Sequence, residues 1–425
     1  MKDNSIKFRA WYIVFINALV GCAIASTFPQ FSMTVANLAA KSGIAESVLL
    51  TSDTIKSCGI VAAMLISGFL YNRFGAKTVF VYSTIAAIIP QVLFPYLGHV
   101  WLLMIFKFMQ GTSSMIFPVF LVIIMNWVEE RNIGLSTAIF NGIFYSGGGI
   151  GGTIAGIVIA NSSWEISYHV MALIQLVLAI VWLLTVKETP PEASGVPDVS
   201  HTSKAPNLSE QSNTPEAEPK PNLLLTPHVW LLAISFLATT WAVQAITVDL
   251  SIYSSHLGFG ELEIGKILTA VTIGMIASCL VSGKASDFFA KRAKRKDISR
   301  ILVLVFGYVL VVAAVIFMAF ADTTNFTLLY TAALLLTFGA SWGLGAFYCI
   351  LPEIYDEKTV PIVTGITGGI GDAGMPVAPL VVGVVFGIRG MWVTGWMTCA
   401  VMAAISSLSA IILIMMLRKK KSHAI

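Results

Sequence analysis

The chain has 425 residues, 56% hydrophobic and 11% charged, with a formal net charge of +4. A water-facing surface takes roughly 25% charged residues, so lipid must be the solvent for most of this chain. A soluble enzyme and a nucleic-acid-binding domain are excluded, and the length suffices for two bundles of six spanning helices with short loops.

Residues 1–10 are polar, and the first apolar stretch runs on past Val35 with no small-residue cleavage site. It is therefore read as a spanning helix and not as a cleaved signal peptide. Runs of about 20 mostly apolar residues predict helices at 10–36, 46–71, 77–97, 100–127, 134–160 and 165–186. A second set follows at 228–256, 262–283, 300–320, 325–351, 359–387 and 391–417. Between the sets, Lys187 to Pro227 is rich in Pro, Ser, Glu and Asn and cannot bury a core, so it reads as a flexible linker. The expected organisation is a bundle at 1–186, a linker at 187–227 and a second bundle at 228–425.

The halves read as repeats. Shifted by 215 positions, Gly43, Glu46, Thr54, Gly59, Ala62, Leu65, Ser67, Gly68 and Phe74 match Gly258, Glu261, Thr269, Gly274, Ala277, Leu280, Ser282, Gly283 and Phe289. Parallel repeats of this kind are one transporter arrangement. With the N-terminus inside, 21 of the 26 Lys and Arg residues fall in cytoplasmic segments, and the outer loops hold only Lys41 and Arg389. This asymmetry places both termini in the cytoplasm, and the expected location is a bacterial inner membrane crossed many times.

Two loops carry a shared pattern. Gly68-Phe-Leu-Tyr-Asn72-Arg73-Phe-Gly75-Ala-Lys77 follows the second helix, and Gly283-Lys-Ala-Ser-Asp287 with a basic run follows the eighth. The leading glycine permits close helix approach, and an acid at this depth can face the N-terminal dipole of a neighbouring helix. These segments resemble the major facilitator signature G-x-x-x-D-R-x-G-R-R and its weaker copy. The resemblance implies a latch between the halves at the cytoplasmic side. Asn72 stands where the family has an acid, which implies a weaker latch there, while Asp287 keeps it. Lys107-Phe-Met-Gln110-Gly111 in the fourth helix is similar to the family's R-x-x-Q-G. Lysine keeps the charge but loses the bidentate geometry of arginine. In the fifth helix Gly148, Gly152 and Gly156 recur every four residues and predict a close-packed face.

The remaining chemistry lies in charges within apolar helices, which are costly unless paired or lining a water-filled path. Asp53 and Lys56 share a face of the second helix, Lys107 and Gln110 a face of the fourth. Asp249 lies in the outer third of the seventh helix. Asp372 lies near the middle of the eleventh, flanked by Gly371, Gly374 and Pro376. Lys56 and Asp372 are expected to approach each other between the halves. Trp342, with Phe28, Phe31, Tyr145, Phe347 and Tyr348, is a candidate cavity lining. Lys266 is expected to snorkel to the outer headgroups. The five cysteines show neither metal-ligand spacing nor a disulfide framework, and no metal or cofactor is implied. No phosphate-binding loop is present, so ATP does not drive transport by this chain alone.

The expected function is secondary active transport of a small solute by alternating access, as a monomer coupled to protons. Lys56 and Lys107 tilt the substrate toward a small organic anion. Export of a neutral metabolite or amphipathic drug is the alternative, and a non-transporting receptor is the alternative of another class. No nucleophile–base–orienter set points to an enzyme.

Overall fold

The computed structural model describes residues 2–189, 226–356 and 358–422. Most of the expected linker, 190–225, lies outside the described residues. The described chain is helical, with no strand. The first half comprises α1 (Lys2–Ala25), α2 (Thr27–Ser42), α3 (Glu46–Leu93), α4 (Val100–Thr112), α5 (Ile116–Trp127), α6 (Ile133–Asn161) and α7 (Trp164–Thr185). The second comprises α8 (Pro227–His256), α9 (Glu261–Arg292), α10 (Lys296–Phe320), α11 (Phe326–Ala346), α12 (Leu351–Ile354), α13 (Val360–Gly371), α14 (Gly374–Pro379) and α15 (Trp392–Ser422).

Ten helical stretches among the described residues are long and apolar enough to cross a membrane, against the twelve expected. Two local features account for the difference. The stretch Ser52–Tyr96 is 45 residues long, about twice the ~20 that one crossing needs. It is broken at Gly75, whose φ of 77° only glycine adopts without strain. The expected helix 359–387 is divided into α13, α14 and a π-helical turn at Leu380–Phe386, and no piece has spanning length. The expected helix 10–36 is likewise split at Ser26, and 100–127 by a 3-10 turn at Ser113–Met115.

The repeat read from the sequence reappears in the backbone. Gly43 and Gly258 both turn the chain with positive φ (71° and 89°). The equivalent Glu46 and Glu261 open α3 and α9. The halves meet along α6 against α9 and α3 against α13. In lipid, helices associate through close backbone approach and not by hydrophobic expulsion, so small residues set these seams. Gly68 lies against Pro361 and Ile362, and its repeat mate Gly283 against Gly134 and Ala138. The face expected at Gly148, Gly152 and Gly156 is displaced by one residue. Gly147 and Gly151 press on Cys22 and Ser26 at the break between α1 and α2, whereas nothing lies within 4 Å of a side chain built on Gly148.

Candidate functional site

Three constellations occupy the seams and the interior. The first is the seam at the two signature loops. Asp287 accepts from the amides of Gly134 and Leu135 at 2.9 Å each, so its carboxylate caps the start of α6 across the seam. Arg300 on α10 holds that carboxylate at 3.1 Å, and also holds Glu353 at 3.0 Å and Ser286 at 2.9 Å. Lys296 pairs with Glu130 beside it. At the equivalent position Asn72 donates, among the described residues, one hydrogen bond, to the Lys358 carbonyl at 3.3 Å. The Thr359 side chain makes no cap for α13. The two ends of the repeat are therefore unequal: one is a charged cap tied into an ion-pair network, the other a single neutral contact. Gly75 forms the turn beside Asn72, and Glu188 accepts from the following amide, Ala76, at 3.2 Å. Arg73 lies over the Phe74 ring, and Lys77 is exposed.

The second constellation lies within the first half. Lys107, fully buried, donates to Asp53 at 2.6 Å. Its ammonium sits 2.9 Å from the centre of the Phe31 ring, where the ring's negative face favours a cation. The Asp53 side chain is 33% exposed. Lys56 is buried, donates to the Thr27 hydroxyl at 3.2 Å, and lies within electrostatic reach of both Lys107 and Asp53. Gln110, one turn on from Lys107, donates to Gln91 at 3.3 Å. Gln91 donates to Gln30, and Gln30 to Ser167 at 2.9 Å. This buried amide relay joins α4, α3, α2 and α7. Gln30 and Gln91 were not singled out from the sequence. Each is an isolated amide in an apolar run, and that was the signal available.

The third constellation is acidic and lies in the second half. Asp372 caps α13 at the break before α14, and its Oδ1 is buried with no hydrogen-bond partner. It lies within electrostatic reach of Tyr145 and Tyr348. Tyr348 packs edge-on against Phe117 of the first half at 5.4 Å, and its hydroxyl is also buried without a partner. Asp249 is buried, its Oδ2 equally unpartnered, and its other oxygen faces Gly383 in the π-helical turn. Such turns cluster at functional sites because they disrupt the regular ladder.

The structure brings together Asp53, Lys56, Lys107 and Gln110, and keeps Asp249 and Asp372 apart from them. The expected Lys56–Asp372 approach is corrected. Along the antiparallel seam Gly68 meets Pro361, Met64 meets Gly365, and Leu65 meets Gly369. That register brings Asp372 to the level of about residues 57–62, close to Lys56 in depth, but the charges within electrostatic reach of Lys56 are Lys107 and Asp53, while Asp372 faces Tyr145 and Tyr348. Asp53, which the sequence offered to Lys56, is held by Lys107. Trp342 is not brought to the others either. Its indole donates to the Val303 carbonyl at 2.8 Å and its ring fills the notch at Gly307, so it packs α11 onto α10. Lys266 is exposed.

A family model described as Major Facilitator Superfamily matches residues 10–296. The chain belongs to the major facilitator superfamily. It is a transmembrane transporter, as its relatives are. It is 22% identical over 364 residues to the hexuronate transporter of Bacillus subtilis (strain 168), covering 84% of this chain and 83% of that one. It is 23% identical over 346 residues to the nitrite extrusion protein of the same organism, covering 80% and 78%. The human organic anion transporter MFSD10 has the same fold, with a TM-score of 0.66 at 14% identity, covering 95% of this chain and 99% of that chain. Within this major facilitator chain, the signature's acid survives only in the second half, and there it makes the cap that the motif anticipates.

Proposed function

We propose that this transporter carries a small organic anion, such as a carboxylate, together with protons by alternating access. The observation that carries the reading is the segregation of buried charge. Among the described residues, the interior of the first half holds two lysines, Lys56 and Lys107, against one carboxylate, Asp53. The second half, besides the mutually neutralising Arg300–Asp287 pair at the seam, buries Asp249 and Asp372, each with a buried oxygen lacking a partner among the described residues. A surplus cation beside the one-third-exposed Asp53 suits an anionic substrate. Carboxyls in a dry site favour the protonated form, so the acids of the second half can load protons. The hexuronate and nitrite relatives support an anionic substrate class.

The twelve crossings form bundles at 1–186 and 228–425, joined by the cytoplasmic linker 187–227, with both termini in the cytoplasm of a bacterial cell. The protein works as a monomer in the inner membrane. In this reading the ion-paired seam around Asp287, whose contacts are made in this conformation, is the cytoplasmic gate, and substrate enters from the opposite side. Loading therefore begins with substrate beside Asp53 and Lys56 and protons at Asp249 and Asp372. Release follows when the Asp287 cap leaves α6.

The test is uptake into proteoliposomes of labelled carboxylates and, separately, of neutral sugars, with and without an inward proton gradient. Carboxylate uptake that rises with the gradient is expected. Exchange of neutral solutes with none of carboxylates would refute the anion assignment, and uptake indifferent to the gradient would refute coupling. Reporter fusions at Ser200 and at the C-terminus should read as cytoplasmic, and a signal from the opposite side at either would overturn the topology.

A further inference from the structure

The latch-end turn between α9 and α10 carries a feature that anion transport does not use. A cavity of about 460 Å³ opens there between the start of α10 and the end of α15. Lys294, Arg295 and Arg418 line it, with Ser299 beside them and Ile298 and Leu302 as its apolar wall. Arg295 is fixed by two bonds to Asp297, at 2.9 and 2.6 Å, and by a third to the Leu417 carbonyl at 3.3 Å. Asp297 neutralises that guanidinium, which leaves the charges of Lys294 and Arg418 to face the cavity.

Its depth is amphipathic. The three basic residues sit at the ends of spanning stretches (Lys296–Phe320 and Trp392–Lys419), which is headgroup level. Leu302 lies about 9 Å further along the α10 axis, at 1.5 Å per residue, which is acyl level. Below it the apolar surface continues. Leu302, Phe306 and Val309 are 53%, 51% and 57% exposed on one face of α10. Leu408, Ile411 and Met415 are exposed on α15, which packs beside it. A soluble anion would need only the basic rim. A cation pair above a cavity that drains into two lipid-facing apolar tracks matches a molecule with a phosphate at one end and hydrocarbon at the other.

We propose that this cavity is a binding site for one anionic diacyl phospholipid, with its phosphate between Lys294 and Arg418 and its chains along α10 and α15. Basic recesses between spanning helices hold anionic headgroups in this way. The site sits on the same turns of α10 as Arg300, so its occupant lies beside the latch. The assignment does not depend on which solute the protein carries.

Native mass spectrometry of the purified full chain in detergent tests this, with phosphatidylglycerol, phosphatidylcholine or inorganic phosphate added. One tightly bound phosphatidylglycerol is expected, with phosphatidylcholine much weaker. Lys294→Gln with Arg418→Gln should weaken phosphatidylglycerol roughly 30-fold, at about fivefold for each charge removed. Lys291→Gln, an exposed cation outside the cavity, should leave affinity unchanged. Equal binding of the two lipids, or an equal loss in Lys291→Gln, would mean diffuse attraction and overturn the site. Displacement of the lipid by phosphate at comparable concentration would make it a soluble-anion site and overturn the lipid assignment. The wild-type comparison of lipids decides the matter even where the double variant is poorly expressed.

Discussion

The charge cluster at Lys107 makes an asymmetric prediction. Wild type buries Lys56 and Lys107 around Asp53. Asp53→Asn leaves two buried cations facing each other and no carboxylate. Breaking a buried pair in this way costs about 3–5 kcal/mol, and the second lysine puts the cost toward the upper end. Lys107→Met leaves Asp53 with Lys56 still in reach and with its side chain one-third exposed. Its cost is chiefly the lost contact with the Phe31 ring, about 1–2 kcal/mol. The double variant restores the wild-type charge difference of one surplus cation, so it should be more stable than Asp53→Asn alone. Equilibrium unfolding in mixed micelles with a denaturing detergent, followed by tryptophan fluorescence, gives the four midpoints and the coupling energy. The expected order is wild type, Lys107→Met, double variant, Asp53→Asn. Additive single effects, or Lys107→Met as the least stable variant, would refute the charge reasoning.

Other perturbations probe the remaining constellations. Asp287→Asn weakens the cap on Gly134 and Leu135, by about 1–2 kcal/mol, and also breaks the buried pair with Arg300, which keeps Glu353. That should open the latch end several-fold more often, seen as a longer distance between spin labels flanking it; an unchanged distribution would sink the role. Gly68→Val places a side chain against the backbone of Pro361 and Ile362, with Ile362 Cα 2.5 Å from the new Cβ. The same labels should then report an open latch end, and a closed one would show that the seam can relax. Uptake by wild type should rise as outside pH falls, since protons load the acids, and Asp372→Asn should flatten that profile while counterflow persists. An unaltered profile in both Asp372→Asn and Asp249→Asn would remove both acids from coupling. Trp342→Phe should cost about 1 kcal/mol for its bond to Val303 and leave transport intact; a loss of transport without a loss of stability would return Trp342 to the site.

Legibility in the sequence follows the range of the interaction concerned. The Asp287 cap was readable because Gly283 and Asp287 act through local chemistry: no Cβ at a close crossing, a carboxylate at helix-start depth. Even the inequality of the two loops was visible in Asn72. The helix breaks at Ser26 and around Asp372 were less so. The apolar composition runs through them, and only the Gly and Pro residues around Asp372 hinted that its helix would bend. The glycine face of α6 was misplaced by one residue because periodicity gives spacing, while rotation about the axis is set by what the helix meets, here Cys22 and Ser26.

Composition and charge asymmetry by themselves determined that this is an all-helical membrane protein, residue matches under a fixed shift revealed its internal repeat, and its motifs marked the seam on which the halves meet. Those properties depend on transfer from water to lipid and on single-residue backbone preferences, which act residue by residue. The partner of each buried charge was decided only in three dimensions. Asp53, Lys56 and Lys107 offer two pairings of equal chemical sense, and Asp372 offered a third. The approach of α4 to α3 selected Lys107 for Asp53, and the way α13 packs left Asp372 among Tyr145 and Tyr348. Coulomb attraction falls with distance, and the distances between helices are set by packing that no single helix encodes.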